Sequence, residues 1–359
     1  MRFFHLDPIT RKRLARFRRI KRGYYALLML AALTFLSLFA NYLAHNRAIV
    51  VSYQGKLYFP TFKYLSMATF GQKDEYGFDD AETDYVLLKD TLKQNRRGWL
   101  IMPPIPWNPY QSDFWYTLHQ NAPPPNPPDI ARRHYLGTDS QGRDVAARLI
   151  YGFRVSIFFA LALTLVSQLI GTFLGCLQGY LGGLFDILSQ RFVEIWSALP
   201  FLYIVVIMST FFVPSFWMLL LIMALFEWIS ITYYMRTELY REKTREYCLA
   251  ARSYGASHLR IIFRHLLPNC LTPLVTFTPF LMVGAIFTLT ALDYLGYGMP
   301  APTPSWGELI DQGLQPQNRD KLWLIVSPFV ALSITLILVT FIGESVREAF
   351  DPKQYAKYE

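Results

Sequence analysis

Glu246-Tyr-Cys-Leu-Ala-Ala-Arg-Ser-Tyr-Gly255, followed by Leu266-Leu267-Pro268-Asn269, lies between two long apolar stretches and is itself too polar to cross a bilayer. Thr237–Ser253 is compatible with helix, and Gly255 marks its break or C-cap. Leu259–Leu267 resumes a helical pattern that Pro268 is expected to end. The segment therefore reads as helix–turn–helix lying near a membrane surface. Ala250, Ala251 and Ser253 are small, so a second protein can approach the backbone there. Leu259, Ile262, Phe263 and Leu266 recur at i, i+3, i+4 and i+7, an apolar stripe expected to hold the second helix against the membrane domain. Spacing alone leaves two readings open: a docking element, or a basic loop bound to anionic lipid headgroups.

Working outward, the chain is 53% hydrophobic yet 17% charged, a membrane protein with much of its length in water. Tyr24–Ala44 follows the basic run Arg11–Arg22. At about 1.5 Å per residue it reaches roughly 30 Å, which suits an uncleaved anchor with a cytoplasmic N-terminus. Five further spans are expected near 154–178, 192–213, 215–235, 271–292 and 322–343, with Pro200, Pro273 and Pro279 bending or ending helices locally. The expected fold is an all-α polytopic membrane protein with six transmembrane helices. Residues 1–23 form a basic cytoplasmic N-terminus, 24–45 the first transmembrane helix and 46–152 a periplasmic insertion of mixed or irregular structure. Residues 153–345 form the core, with a cytoplasmic loop at 236–270, and 346–359 a cytoplasmic tail. That loop carries Arg236, Arg241, Lys243, Arg245, Arg252, Arg260 and Arg264, a bias that agrees with the orientation.

In 46–152, Ala48–Tyr53 and Lys56–Phe59 flank Gln54-Gly55 as a hairpin signal, and Asp84–Gln94 reads as an amphipathic helix. Trp99–Pro128, rich in proline and aromatics, is expected to be extended and loop-like. Cys176, Cys248 and Cys270 all fall outside this region, so it holds no internal disulfide, and no Cys/His cluster suggests a metal. The net charge of +9 concentrates beside apolar segments and so argues against nucleic acid as a partner.

The 246–268 loop resembles the cytoplasmic "EAA" loop of ABC importer permeases, with Leu249-Ala250-Ala251, Gly255, Ile262, Leu267 and Pro268 in matching places. The family's glutamate is Leu249 here, and Glu246 lies one turn earlier. Leu136-Gly137-Thr138-Asp139-Ser140-Gln141-Gly142-Arg143-Asp144 is similar to the "LGTDxxGRD" segment of the dipeptide/oligopeptide branch. Leu295-Gly296-Tyr297-Gly298 through Pro304-Ser305-Trp306-Gly307 is similar to its "FLGLG…PSWG" segment, and Gly343-Glu344, Arg347 and Asp351-Pro352 to its C-terminal signature. The long insertion resembles the Yej-type peptide importers within that branch.

The resemblance implies a type I importer permease fold in the bacterial inner membrane. It implies as partners a second homologous permease, cytoplasmic ABC ATPase subunits, a periplasmic solute-binding protein, peptide cargo and membrane lipid. Glu246, Leu249, Ala250, Ala251, Gly255, Ile262, Leu267 and Pro268 would couple to the ATPase. Gly137, Asp139, Gly142, Arg143, Asp144, Gly296, Gly298, Trp306 and Gly307 would form a periplasmic gate or docking region. Read bottom-up, Asp139, Arg143 and Asp144 are expected to fix the chain by local ion pairs, and Trp306 to anchor at the interface. Glu227, inside the fourth span, reads as a pore residue or an interhelix contact, for instance to Ser230 or Thr232. The chain has no Walker A pattern, so it is not expected to bind a cofactor itself; ATP and Mg would belong to the partner ATPase. No Ser/His, paired-Asp or HExxH arrangement within the spans supports an intramembrane enzyme, and a lone Glu227 is poor support for an ion-coupled carrier.

Overall fold

The structure, a computed structural model, describes residues 8–73, 77–95 and 98–350, so Asp351 and Pro352 lie outside the described residues. It is mostly helical. In chain order the elements are α1 (Pro8–Arg19), α2 (Lys21–Leu38), α3 (Ala40–Leu43), β1 (Val50–Tyr53), β2 (Lys56–Tyr58), α4 (Tyr85–Asn95), β3 (Gly98–Ile101) and α5 (Trp115–Gln120). There follow α6 (Val145–Leu181), α7 (Gly183–Ser197), α8 (Phe201–Phe211), α9 (Phe216–Glu242), α10 (Glu246–Ser253), α11 (His258–Arg260), α12 (Leu267–Asn269), α13 (Leu271–Tyr294), α14 (Trp306–Leu314) and α15 (Trp323–Phe350). The chain divides into two compact units, one drawn from the described residues of 1–32, 156–300 and 333–359, the other from those of 33–155 and 301–332.

Among the described residues α6, α9, α13 and α15 are long and apolar enough to cross a membrane, and α7 with α8 makes a fifth candidate bent by 69°. The expected span 192–213 has its expected break at Pro200, but its start is corrected. Its N-terminal part belongs to a helix that starts at Gly183, and the direction changes before α8, for which Pro200 is the N-cap at φ −74° and ψ 106°. Proline lacks the N–H to continue the ladder, and the residue before it is steered out of the helical region. The expected first span is helical as α2 and α3 but is not among these candidates, because α2 opens on Lys21 and Arg22 and breaks after Leu38.

In the first unit α6 packs on α9 along Gly171, Gly175 and Gly179. A Cβ at these positions would stand 2.7 Å from the Trp228 carbonyl oxygen, 2.7 Å from that of Thr232 and 2.8 Å from that of Arg236. The expected close approach at Gly171-x-x-x-Gly175 is present and continues one turn further. Replacing Gly175 with alanine forces two backbones apart and should cost about 1–3 kcal/mol. The expected result is a lower melting temperature of the detergent-purified chain, and an unchanged one would contradict this packing.

The second unit contains a three-stranded sheet of order β2-β1-β3. The hairpin turns at Gln54 and Gly55 with φ of 49° and 77°, the double positive-φ geometry that matches strand twist. It sets the register Val51↔Tyr58, while β3 adds antiparallel on the other edge with Val51↔Leu100. α4 lays Tyr85, Leu88 and Leu92 against Val51 and Phe70. Asp84, expected inside this helix, is instead its cap, its Oδ1 accepting the N–H groups of Val86 at 2.9 Å and Leu87 at 3.0 Å. Part of Trp99–Pro128 is regular after all, as β3 and α5.

Candidate functional site

α9 stops at Glu242 rather than running on to Ser253, and α10 begins at Glu246 after a short turn. Glu242 holds this turn, paired with Arg245 at 2.9 Å and accepting the Tyr247 hydroxyl at 2.8 Å. α10 ends on Gly255 at φ +76°, where Ala256 N–H reaches the Ala251 carbonyl (3.1 Å) and Gly255 N–H that of Arg252 (3.0 Å). This paired closure satisfies the last carbonyls of the helix and needs a left-handed residue, as the sequence suggested. Ser257 then caps α11, a π-helical turn covers Ile261–Leu266, and α12 follows. Pro268 does not end the second helix as expected. It sits in the first turn of α12, where its missing N–H is no loss.

The loop is braced on the first unit through Cys248, Ile261, Ile262, Leu266 and Cys270, which bury against Cys176, Ile231, Met235 and Leu239. Only half of the expected apolar stripe faces inward: Ile262 and Leu266 are buried, whereas Leu259 and Phe263 are exposed. Of the expected coupling residues, Glu246, Leu249, Ala250, Gly255 and Pro268 are exposed, Ala251 and Leu267 are intermediate and Ile262 is buried. The outward face is α10 together with Tyr254, which is 92% exposed and which the sequence reading passed over. An aromatic beside a helix-ending glycine in a polar loop was the available signal.

A second brace was also missed. Arg236 grips Asp186 in bidentate fashion at 2.6 and 2.7 Å, and the Tyr240 hydroxyl donates to the same carboxylate at 2.6 Å. This ties the start of α7 to α9.

In the second unit the LGTD segment forms a buried ion network. Asp139 accepts the backbone N–H of Gln141 and of Arg143, each at 2.9 Å, and pairs with Arg143 Nε at 2.7 Å. Arg143 reaches Glu308 at 2.8 Å. Arg148 bonds the other oxygen of Glu308 and donates to the carbonyls of Pro109 (3.2 Å), Pro302 (3.3 Å) and Thr303 (3.4 Å). Ser305 caps α14, its hydroxyl accepting the Glu308 N–H, so Ser-x-x-Glu at a helix start was the legible trace of this partner. Gly137 and Gly142 take φ of +75° and +79°, and a Cβ on either would run into the backbone of Asn126 or Asp113. Trp306 is 1% exposed, its Nε1 donating to the Leu149 carbonyl at 3.2 Å, so it is a core residue of this unit rather than an interfacial anchor. Asp139, Arg143, Asp144, Trp306 and Gly307 are all buried. They are packed into the interior of this unit.

Asp144 caps α6 through the Ala147 N–H at 2.7 Å and receives His134 Nδ1 at 2.7 Å, while His134 Nε2 faces Asp113 at 3.1 Å. Burial alone would depress the imidazole pKa, but hydrogen bonds and attraction from Asp113 and Asp144 outweigh it and raise it above 6.5. Asp113 is likewise resisted by burial yet held low by His134, the Trp115 N–H and Arg132. A raised histidine contributes stability that is whole below its unfolded value of 6.5 and is lost as pH climbs through the folded one. As pH rises from 6.5 the melting temperature should therefore fall, and in His134→Gln that fall should flatten. Equal slopes in the two proteins would contradict the clamp.

Gly296 and Gly298 lie in the first unit. Gly296, at φ +79°, closes α13 with the same paired bonds as Gly255, Tyr297 N–H to the Leu292 carbonyl and Gly296 N–H to that of Asp293. Asp293 accepts the Met299 N–H at 2.6 Å, pinning the loop that follows. Glu227 is half-buried on α9, and among the described residues no side chain bonds it. The contact expected from Thr232 is absent, since that hydroxyl donates to the Trp228 carbonyl at 3.0 Å.

Residues 171–354 match the family described as binding-protein-dependent transport system inner membrane component. The peptidoglycan transport system permease protein YejE of Agrobacterium fabrum is 41% identical over 97% of this chain and 94% of its own length. The inner membrane ABC transporter permease protein YejE of Escherichia coli is 41% identical over 97% of this chain and 98% of its own. This chain belongs to that permease family. The oligopeptide transport system permease OppC of Lactococcus lactis subsp. lactis is 35% identical over 63% of this chain and 77% of its own length. As a binding-protein-dependent permease the chain is a multi-pass inner-membrane protein, and its 246–269 loop and the network around Asp139 fall on the motifs that pointed to the family.

Proposed function

We propose that this chain is the inner-membrane permease subunit of an ATP-driven ABC importer for peptides, with the type I permease fold. The observation that carries this reading is the 41% identity to two YejE permeases over almost the whole chain, joined to a braced loop whose outer face is free. The importer would comprise this chain, a second homologous permease, two ATPase domains that bind ATP and Mg, and a periplasmic solute-binding protein. The α10 face and Gly255 would sit against the ATPase, whose closure tilts the spans between inward-open and outward-open packings. Glu227 would face the path or the second permease.

Six spans with both ends in the cytoplasm are supported within the first unit. Arg22, at the start of α2, pairs with Glu348 at 3.1 Å and Glu344 at 3.6 Å near the end of α15. Arg13 donates to Thr272 at 3.4 Å, in the first turn of α13. Two chain ends on one face require an even number of crossings, which the five candidates reach when α2 and α3 are counted as a sixth. Residues 46–152 would then be periplasmic, a domain that receives the binding protein.

A second cargo reading is peptidoglycan fragments, favoured by the name of the Agrobacterium relative. The test is uptake into vesicles holding the four components, with labelled oligopeptide and peptidoglycan fragment in competition. ATP-dependent uptake is expected, and ATP-independent uptake by this chain alone would refute the reading.

A further inference from the structure

Beside the outward face of α10 lies a cavity of about 520 Å³ whose polar lining comes from Tyr180, Lys243, Thr244, Arg252 and His258. No carboxylate lines it. The acids nearby are already committed, Asp186 to Arg236 and Tyr240, and Glu242 to Arg245 and Tyr247. Lys243 gives one N–H to the Gly179 carbonyl at 2.7 Å, which leaves two ammonium protons available. Burial outweighs the pull of Asp186 and lowers its pKa, and the ammonium's other neighbour is the face of the Tyr240 ring at 4.2 Å, which is not an acid. Arg252 makes no ion pair among the described residues, and the His258 ring shares a 2.7 Å bond with the Tyr180 hydroxyl. Tyr180 and Leu181 are the last residues of α6, so the cavity sits where an apolar span ends, at headgroup depth.

We propose that this cavity is a binding site for a phosphate-class anion, the phosphodiester of an anionic phospholipid or free phosphate, held by Lys243, Arg252 and His258. Two cations and an imidazole with no acid among them match the charge and the acceptor oxygens of a phosphate. Because Leu249 and Arg252 belong to α10, an occupied site would stiffen the coupling helix from its inner side. The coupling consequence rests on the proposed function; the binding itself does not, and is measured without ATPase.

The experiment is thermal unfolding of the full-length chain in nanodiscs of pure phosphatidylcholine or with phosphatidylglycerol added, and separately in detergent with inorganic phosphate. Stabilisation by phosphatidylglycerol identifies the lipid source, and stabilisation by inorganic phosphate alone identifies the soluble one. The Lys243→Gln/Arg252→Gln double variant should weaken the effect at least about tenfold in ligand concentration. Arg260→Gln/Arg264→Gln, which removes two cations outside the cavity, should retain it. The proposal is overturned if neither anion stabilises the chain, or if both double variants lose the effect equally, which would make it a general property of a basic surface.

Discussion

Gly255→Val should weaken attachment of the ATPase subunit about tenfold and reduce ATP-driven uptake at least as much, with membrane insertion unchanged. The backbone there stands at φ +76°, and a Cβ would meet nothing within 4 Å, so the penalty is conformational and not steric crowding from the surroundings. A left-handed conformation costs an L-residue about 1–2 kcal/mol and a β-branched one more, and about 1.4 kcal/mol is a factor of ten in binding. The strain is relieved by opening the paired bonds from Gly255 and Ala256 to Arg252 and Ala251, which unravels the last turn of α10 and moves Tyr254. Asparagine tolerates the left-handed region, so Gly255→Asn should retain most activity. Pull-down of the ATPase with each variant, at matched membrane levels, checks the pair. If valine and asparagine behave alike, the elbow does not depend on this conformation.

Arg148→Ala should be among the most damaging single changes to stability, at about 3–5 kcal/mol. Arg148 is fully buried and serves Glu308 and three backbone carbonyls at once. Its removal leaves Glu308 with Arg143 as its one ion-pair partner and Gln312 as a neutral donor, and orphans the carbonyls of Pro109, Pro302 and Thr303. The loss should appear as a lower melting temperature and as new proteolytic cleavage in 98–144. Adding Glu308→Gln should recover part of it, because the uncompensated charge goes with the carboxylate. A double variant worse by the full sum of the singles would mean that the two side chains do not act as a unit.

Features fixed by a few neighbouring residues were legible before the structure. Gln54-Gly55 specified the hairpin because only a double positive-φ turn matches the strand twist, and Gly255 marked a helix end for the same kind of reason. Gly171 and Gly175 announced a close helix contact. Pro200 marked the break between α7 and α8, but not its 69° angle or the start of α7 at Gly183, because an apolar run with one proline gives a place for a bend and no direction. Pro268 misled in the opposite sense, since a proline stops a helix that reaches it yet suits the first turn of a new one. The ion network escaped because its partners are far apart in the chain: Arg143 and Glu308 are separated by 165 positions. Trp306 looked like an interface anchor from composition alone, and only the fold shows that Gly152 makes room for its ring and the Leu149 carbonyl accepts its N–H.

For ATP to drive this permease, the exposed face of α10 must meet a nucleotide hydrolase. Tyr254, 92% exposed, is the place to test it. A cysteine at position 254, cross-linked in cells that are importing cargo, should be recovered joined to an ATPase subunit, with a yield that changes when ATP hydrolysis is arrested. Full labelling of that cysteine with no hydrolase attached, while uptake continues, would contradict the account.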